Sequence, residues 1–163
     1  MATEIERKFL VNSDLWRESA DSGTRFRQGY LIGAEKASVR VRIEGDKANL
    51  NIKSATLGVR RQEYEYAIPL PEAEELLDTL CEQPQIEKTR YHVPVGDHTW
   101  EIDVFAGDNA GLVVAEVELE DEAEPFERPE WLGKEVSDDT RYYNVCLTRH
   151  PYKDWNHDQT DKN

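Results

Sequence analysis

Residues 37–44 alternate without a break: Val39, Val41 and Ile43 fall on one side, Arg40, Arg42 and Glu44 on the other. A period of two is that of a β-strand, whose successive side chains point to opposite faces. The same period recurs along the chain. Residues 4–10 set Glu4, Glu6 and Lys8 against Ile5 and Phe9, with Arg7 among the apolar pair. Residues 48–53 set Asn49, Asn51 and Lys53 against Leu50 and Ile52, after a tight Gly45-Asp46-Lys47 hairpin loop. Residues 61–70 place Glu63 and Glu65 opposite Tyr64, Tyr66 and Ile68, and Pro69 and Pro71 end the run. Further strands are expected over 26–33, 85–93, 98–105 and 112–119, with turns at 33–36, 94–97 and 107–109.

Helical spacing is rarer. Residues 71–81 have proline in the first turn, Glu72, Glu74 and Glu75 near the positive N-terminal end, and Ala73, Leu76, Leu77 and Leu80 on one side. This predicts a helix that covers a sheet face. A short helix is expected within 12–20, and another over 140–148, capped by Asp138 or Asp139 and docked through Tyr143, Val145 or Leu147. From His150 the chain turns polar, so 150–163 is expected to fray as a tail behind one domain over 1–149.

Composition narrows the function classes. No apolar run approaches the roughly 20 residues of a membrane-spanning helix, and Met1 leads into a charged strand without a signal segment, so a cytoplasmic location is the default expectation. Cys81 and Cys146 are distant and form no CxxC pair, which predicts free thiols; His92, His98, His150 and His157 show no metal spacing. The net charge of −14 argues against binding a nucleic-acid duplex, and a phosphate ligand would need a concentrated local basic site. There is no GxxxxGK[ST] loop, no GxGxxG after a strand and no GxSxG elbow.

Charge then changes the reading of the strands. An antiparallel sheet with one face in water would also alternate, but with neutral polar residues and intermingled signs. Here the strands carry Arg40 with Arg42, Glu63 with Glu65, Lys88 with Arg90, Glu101 with Asp103, and Glu116 with Glu118. Like charges two residues apart repel unless a ligand or an opposing strand neutralises them. Roughly eight antiparallel strands can close into a barrel. The expected fold is therefore α+β, mainly antiparallel β, a closed tunnel-like barrel with a charged interior and covering helices. Carboxylates on some walls suit hard divalent cations such as Mg²⁺ or Mn²⁺, and arginines and lysines on others suit phosphate oxygens.

In this order, the EIERKFL start, Ser38-Val39-Arg40-Val41-Arg42, Lys53, Glu63-Tyr64-Glu65, Lys88-Thr89-Arg90-Tyr91, Glu101-Ile102-Asp103, Glu116-Val117-Glu118 and the closing GKEVSDDTRYYN run resemble the CYTH domain of the triphosphate tunnel metalloenzymes, over about residues 2 to 148. The resemblance implies hydrolysis of a triphosphate held by Lys8, Arg40, Arg42, Lys53, Lys88 and Arg90. It implies a first metal at Glu4, Glu6 and Glu116 and a second at Glu65, Asp103 and Glu118, with Glu63 nearby. Lys8, Arg40, Arg42, Glu65, Asp103 and Glu118 would then do the chemistry, and Lys134 is a candidate proton donor at the tunnel end. Inorganic tripolyphosphate is the expected substrate, with nucleoside or thiamine triphosphates and a non-catalytic polyphosphate-binding module as alternatives. A homodimer is compatible with the sequence.

Overall fold

The computed structural model describes residues 3–33, 36–54 and 59–155. The predicted turn positions Ala34 and Glu35, and His157, lie outside them. One sheet contains β1 (Thr3–Val11), β2 (Thr24–Gly33), β3 (Ala37–Glu44), β4 (Lys47–Ser54), β5 (Arg60–Ala67), β6 (Ile86–Val95), β7 (His98–Phe105), β8 (Val113–Leu119) and β9 (Leu132–Glu135). Its order is β5-β4-β3-β2-β6-β7-β8-β1-β9, and β5 also pairs with β1, Glu4 standing opposite Arg61. That last pairing closes eight strands into an antiparallel barrel without a free edge among them. β9 lies beside the end of β1, with Phe9 opposite Glu135 and Val11 opposite Leu132.

Because the polar face of each strand turns inward, the apolar faces must be covered from outside. Helix α1 (Leu70–Thr79) lays Ala73 and Leu77 over Val41 and Ala48. On the other side Trp16, from a 3-10 turn at Leu15–Ser19, packs with Trp131, Val93, Trp100, Val117 and Phe9. Phe9 and Trp100 meet edge to face at 5.6 Å, as do Trp100 and Trp131 at 5.7 Å. The cover is incomplete, since Tyr64 and Tyr66 on the outside of β5 and Ile32 on β2 remain exposed.

One end of the interior is apolar. Leu10 follows Lys8 by two positions, Ile86 precedes Lys88 by two, Phe105 follows Asp103 by two and Val114 precedes Glu116 by two. The four therefore share the inward face of neighbouring strands, and they cluster with Leu147 and Tyr142. Leu147 belongs to α2 (Asn144–Arg149), so this helix seats its apolar side on the layer.

Several expectations need correction. Strand β5 stops at Ala67 and α1 starts at Leu70, because Pro69 holds φ at −62° and serves as the N-cap. β9 is too short to leave a periodic signal and exists through its pairing with β1. The helix expected over 140–148 is broken: a 3-10 turn at Thr140–Tyr142 and α2 are separated by an extended Tyr143. Of the two candidate caps it is Asp139 that accepts from the Arg141 N–H, at 3.1 Å. Nor does the chain fray at His150. A further 3-10 turn spans Tyr152–Asp154, and Trp155 is buried, its ring 5.1 Å from Tyr142 and 5.0 Å from Tyr152.

Candidate active site

The barrel encloses a cavity of about 450 Å³, lined by every nominated side chain except Asp103 and Lys134. From β1 come Glu4, Glu6 and Lys8; from β3, Arg40 and Arg42; from β4, Lys53; from β5, Glu63 and Glu65; from β6, Lys88 and Arg90; from β8, Glu116 and Glu118. Strict alternation does this locally, since each strand contributes every second residue and a closed sheet makes those faces converge. Arg7, of opposite parity, points away and forms a two-point pair with Glu135 at 2.6 and 2.9 Å.

The basic wall spans β3 and β6 on either side of β2. Arg42 Nε donates to Gln28 Oε1 at 2.9 Å, and Arg40 reaches Glu63 at 3.4 Å. Asp103 stands behind the wall: Arg90 grips both its oxygens at 2.7 and 2.9 Å, and Lys88 Nζ donates at 2.8 Å. Its two oxygens are thus committed to cations, which sets it apart from the acidic side chains that line the cavity. Burial, with Arg90 and Arg42 adding, pulls the Lys88 ammonium down to about 7. Burial, with Arg40 and Arg90 adding, pulls Arg42 down to about 9. Against the cost of burial, Arg90 and Lys88 hold Asp103 far below the usual carboxylate range. Phe26 lies beneath the group, with Arg42, Arg90 and Lys88 at 4.8, 4.9 and 5.7 Å from its ring centre. Cations crowded this closely gain from an anion between them.

The acidic groups are perturbed the other way. Burial and the neighbouring Glu6 push Glu4 up to about 8, while Glu63, beside Glu4, Lys53 and Arg40, is held low against its burial. Burial and Glu116 raise Glu6; burial, Glu101 and Glu63 raise Glu118. Glu116 behaves differently, because Lys8 and Arg90 hold it down to about 2 despite its burial. Lys53 Nζ sits 3.3 Å from Glu4 and 3.8 Å from Glu6. Glu4 Oε1 is buried and finds no hydrogen-bond donor among the described residues, Lys53 being present only as an ion-pair partner. Among the described residues no three His, Cys, Asp or Glu side chains are gathered as a metal cage. The donor chemistry nevertheless fits a hard divalent cation: all-oxygen ligands, mutual repulsion, and a buried carboxylate oxygen without a hydrogen bond.

Sequence reasoning missed the part played by α2. Lys8 Nζ on β1 donates to the Tyr142 carbonyl at 3.1 Å, and Gln28 Nε2 on β2 donates to Asn144 Oδ1 at 3.2 Å. β1 and β2 lie on opposite sides of the eight-strand ring, so the segment spans the bore. Tyr143, Asn144, Val145, Cys146 and Arg149 consequently line the cavity. Of the three expected docking residues it is Leu147 that is fully buried, while Tyr143 and Val145 line the cavity. Lys134 also departs from expectation: it is exposed and lines a separate cavity with Val59 and Glu135 to Thr140. Both thiols are free, as expected.

Similarity to known proteins points the same way. A profile of the CYTH domain matches residues 2–145. The chain is 48% identical over 155 residues to an inorganic triphosphatase of Acetivibrio thermocellus, covering 95% of this chain and 99% of that one. It is 40% identical over 149 residues to an inorganic triphosphatase of Nitrosomonas europaea, covering 89% and 96%. A crystal structure of the inorganic triphosphatase NE1496 superposes with a TM-score of 0.66 at 38% identity, covering 91% of this chain and 95% of that one.

Proposed function

The chain belongs to the CYTH domain family, and we propose that it hydrolyses inorganic tripolyphosphate to diphosphate and phosphate with a divalent cation, Mg²⁺ or Mn²⁺. One observation carries this reading: the interior of the barrel crowds buried cations against carboxylates of raised pKa, above an end filled by apolar side chains. Such a space suits a polyanion that arrives with a cation and has no organic group to bury. Phe26, the ring that could stack a nucleobase, already carries Arg42, Arg90 and Lys88.

In this reading Lys8, Arg40, Arg42, Lys53, Lys88 and Arg90 bind the phosphoryl oxygens, and burial strengthens each contact by excluding water. Glu4, Glu6 and Glu116 would hold one cation, and Glu63, Glu65 and Glu118 a second. Asp103, with both oxygens on Lys88 and Arg90, orients those two side chains instead of a metal. When bound, a divalent cation supplies positive charge to the phosphoryl oxygens and makes a nearby water more acidic. Water oxygen attacks the terminal phosphorus in line, the bridging P–O bond breaks, and its electron pair leaves on diphosphate. Lys8, Arg40 and Arg42 meet the charge that develops there.

Purified protein is incubated with tripolyphosphate, ATP or thiamine triphosphate, each with Mg²⁺ or Mn²⁺. Phosphate release is expected to be fastest from tripolyphosphate and to stop on chelation. Faster release from either organic triphosphate would overturn the substrate assignment, and tight binding without release would make the protein a polyphosphate-binding module.

A further inference from the structure

Gln28 stands opposite Arg42 across the β2–β3 pair and is fully buried. Its Oε1 accepts from Arg42 Nε at 2.9 Å and its Nε2 donates to Asn144 Oδ1 at 3.2 Å. The same Asn144 oxygen accepts from Lys88 Nζ at 3.1 Å. The direction of this relay is dictated by its ends. A guanidinium Nε and an ammonium can only donate, so each must meet an oxygen. Gln28 must therefore turn its oxygen to Arg42 and its amide hydrogens to Asn144, which leaves the Asn144 oxygen to receive both Gln28 and Lys88.

We propose that Gln28 and Asn144 are positioning residues that hold Arg42 and Lys88 as one preorganised phosphate clamp; the assignment rests on the tripolyphosphate reading. Arg42 and Lys88 come from strands on either side of β2 and repel each other inside a low-dielectric space. Without neutral acceptors between them they would splay, or the incoming anion would have to order two long side chains at an entropic cost. With the relay in place Arg42 is held by Nε and keeps its terminal nitrogens for substrate. Lys88 uses two of its three hydrogens, on Asp103 and Asn144, and lines the cavity. Because Asn144 belongs to α2, the clamp is assembled only when that helix is seated.

The test compares wild type with Gln28→Leu, Asn144→Leu, the double variant and the isosteric Gln28→Glu, measuring thermal midpoint, KM and kcat for tripolyphosphate. Each leucine variant is expected to raise KM about tenfold, with kcat changed less than about threefold, since it removes one acceptor that orders the side chain before substrate binds and leaves the charged group itself in place. The double variant should fall well short of the product of the two single effects, because each single change already breaks the bond between Gln28 and Asn144. Gln28→Glu keeps an acceptor for Arg42 but obliges Asn144 to turn its amide hydrogens inward, against Lys88, so it too should raise KM while folding normally. Unchanged KM in Gln28→Glu and in whichever leucine variants fold overturns the proposal, as do single effects that multiply in the double variant. A wild type that releases no phosphate from tripolyphosphate would instead sink the functional reading on which the proposal stands.

Discussion

Glu4 and Lys88 have opposite charges, and each is pushed toward its neutral form by the same burial. Their pH effects separate. Glu4 is raised from 4.5 to about 8, so its contribution to stability is full below 4.5 and is lost as the pH rises toward 8. Lys88 is lowered from 10.5 to about 7, so its burden on the fold is relieved only as the pH rises above 7. Metal-free protein should therefore lose urea resistance between pH 5 and 6.5, and Glu4→Gln should flatten that slope. Divalent cation should cancel the loss in wild type and do little for Glu4→Gln, whose phosphate release should fall by about two orders of magnitude. Full activity in Glu4→Gln would falsify the metal assignment. Lys88→Met, close in shape and lacking the charge, should lower kcat/KM by about a hundredfold or more. These roles were half legible in the sequence: alternation assigns Glu4, Glu6 and Lys8 to one face, but only the closed sheet decides that the face looks inward. Asp103 shows the limit, because its parity matches its neighbours while its position behind Lys88 and Arg90 comes from packing across β6 and β7.

At the level of elements, period and punctuation located β3 and β7 to the residue, since each is bounded by a turn carrying glycine or a polar run. β9 and the 3-10 turn at Tyr152–Asp154 escaped, because they draw their stability from what they touch rather than from their own pattern. Two leucines, both fully buried, distinguish outer cover from inner seal. Leu77→Ala on α1 and Leu147→Ala on α2 should each cost about 2–5 kcal/mol of unfolding free energy, read from denaturant midpoints. Leu77 lies outside the barrel, so the folded variant should keep its kcat/KM. Leu147 supports the helix that carries Asn144, and its loss should also raise KM for tripolyphosphate.

The whole molecule carries a net charge of −14 and yet is assigned a polyanionic substrate. The barrel reconciles the two by shutting its arginines and lysines away from the acidic exterior. Tripolyphosphate with Mg²⁺ should raise the thermal midpoint by the equivalent of about 2.7 kcal/mol at a hundred times its Kd. Its affinity should change less with salt than that of a surface site, because buried charges are poorly screened. A midpoint unmoved by ligand and metal would count against any binding role. The amino-acid order by itself determined which residues share a face, that those faces are sign-pure, and that the family's spacing is present, because these follow from a period of two and from residue identity. Only the tertiary structure decided that β5 returns to β1, that one end of the bore is filled by Leu10, Ile86, Phe105 and Val114, and that α2 crosses it to hold Lys88. Those are meetings of residues remote in sequence, set by closure and packing, which no local pattern encodes.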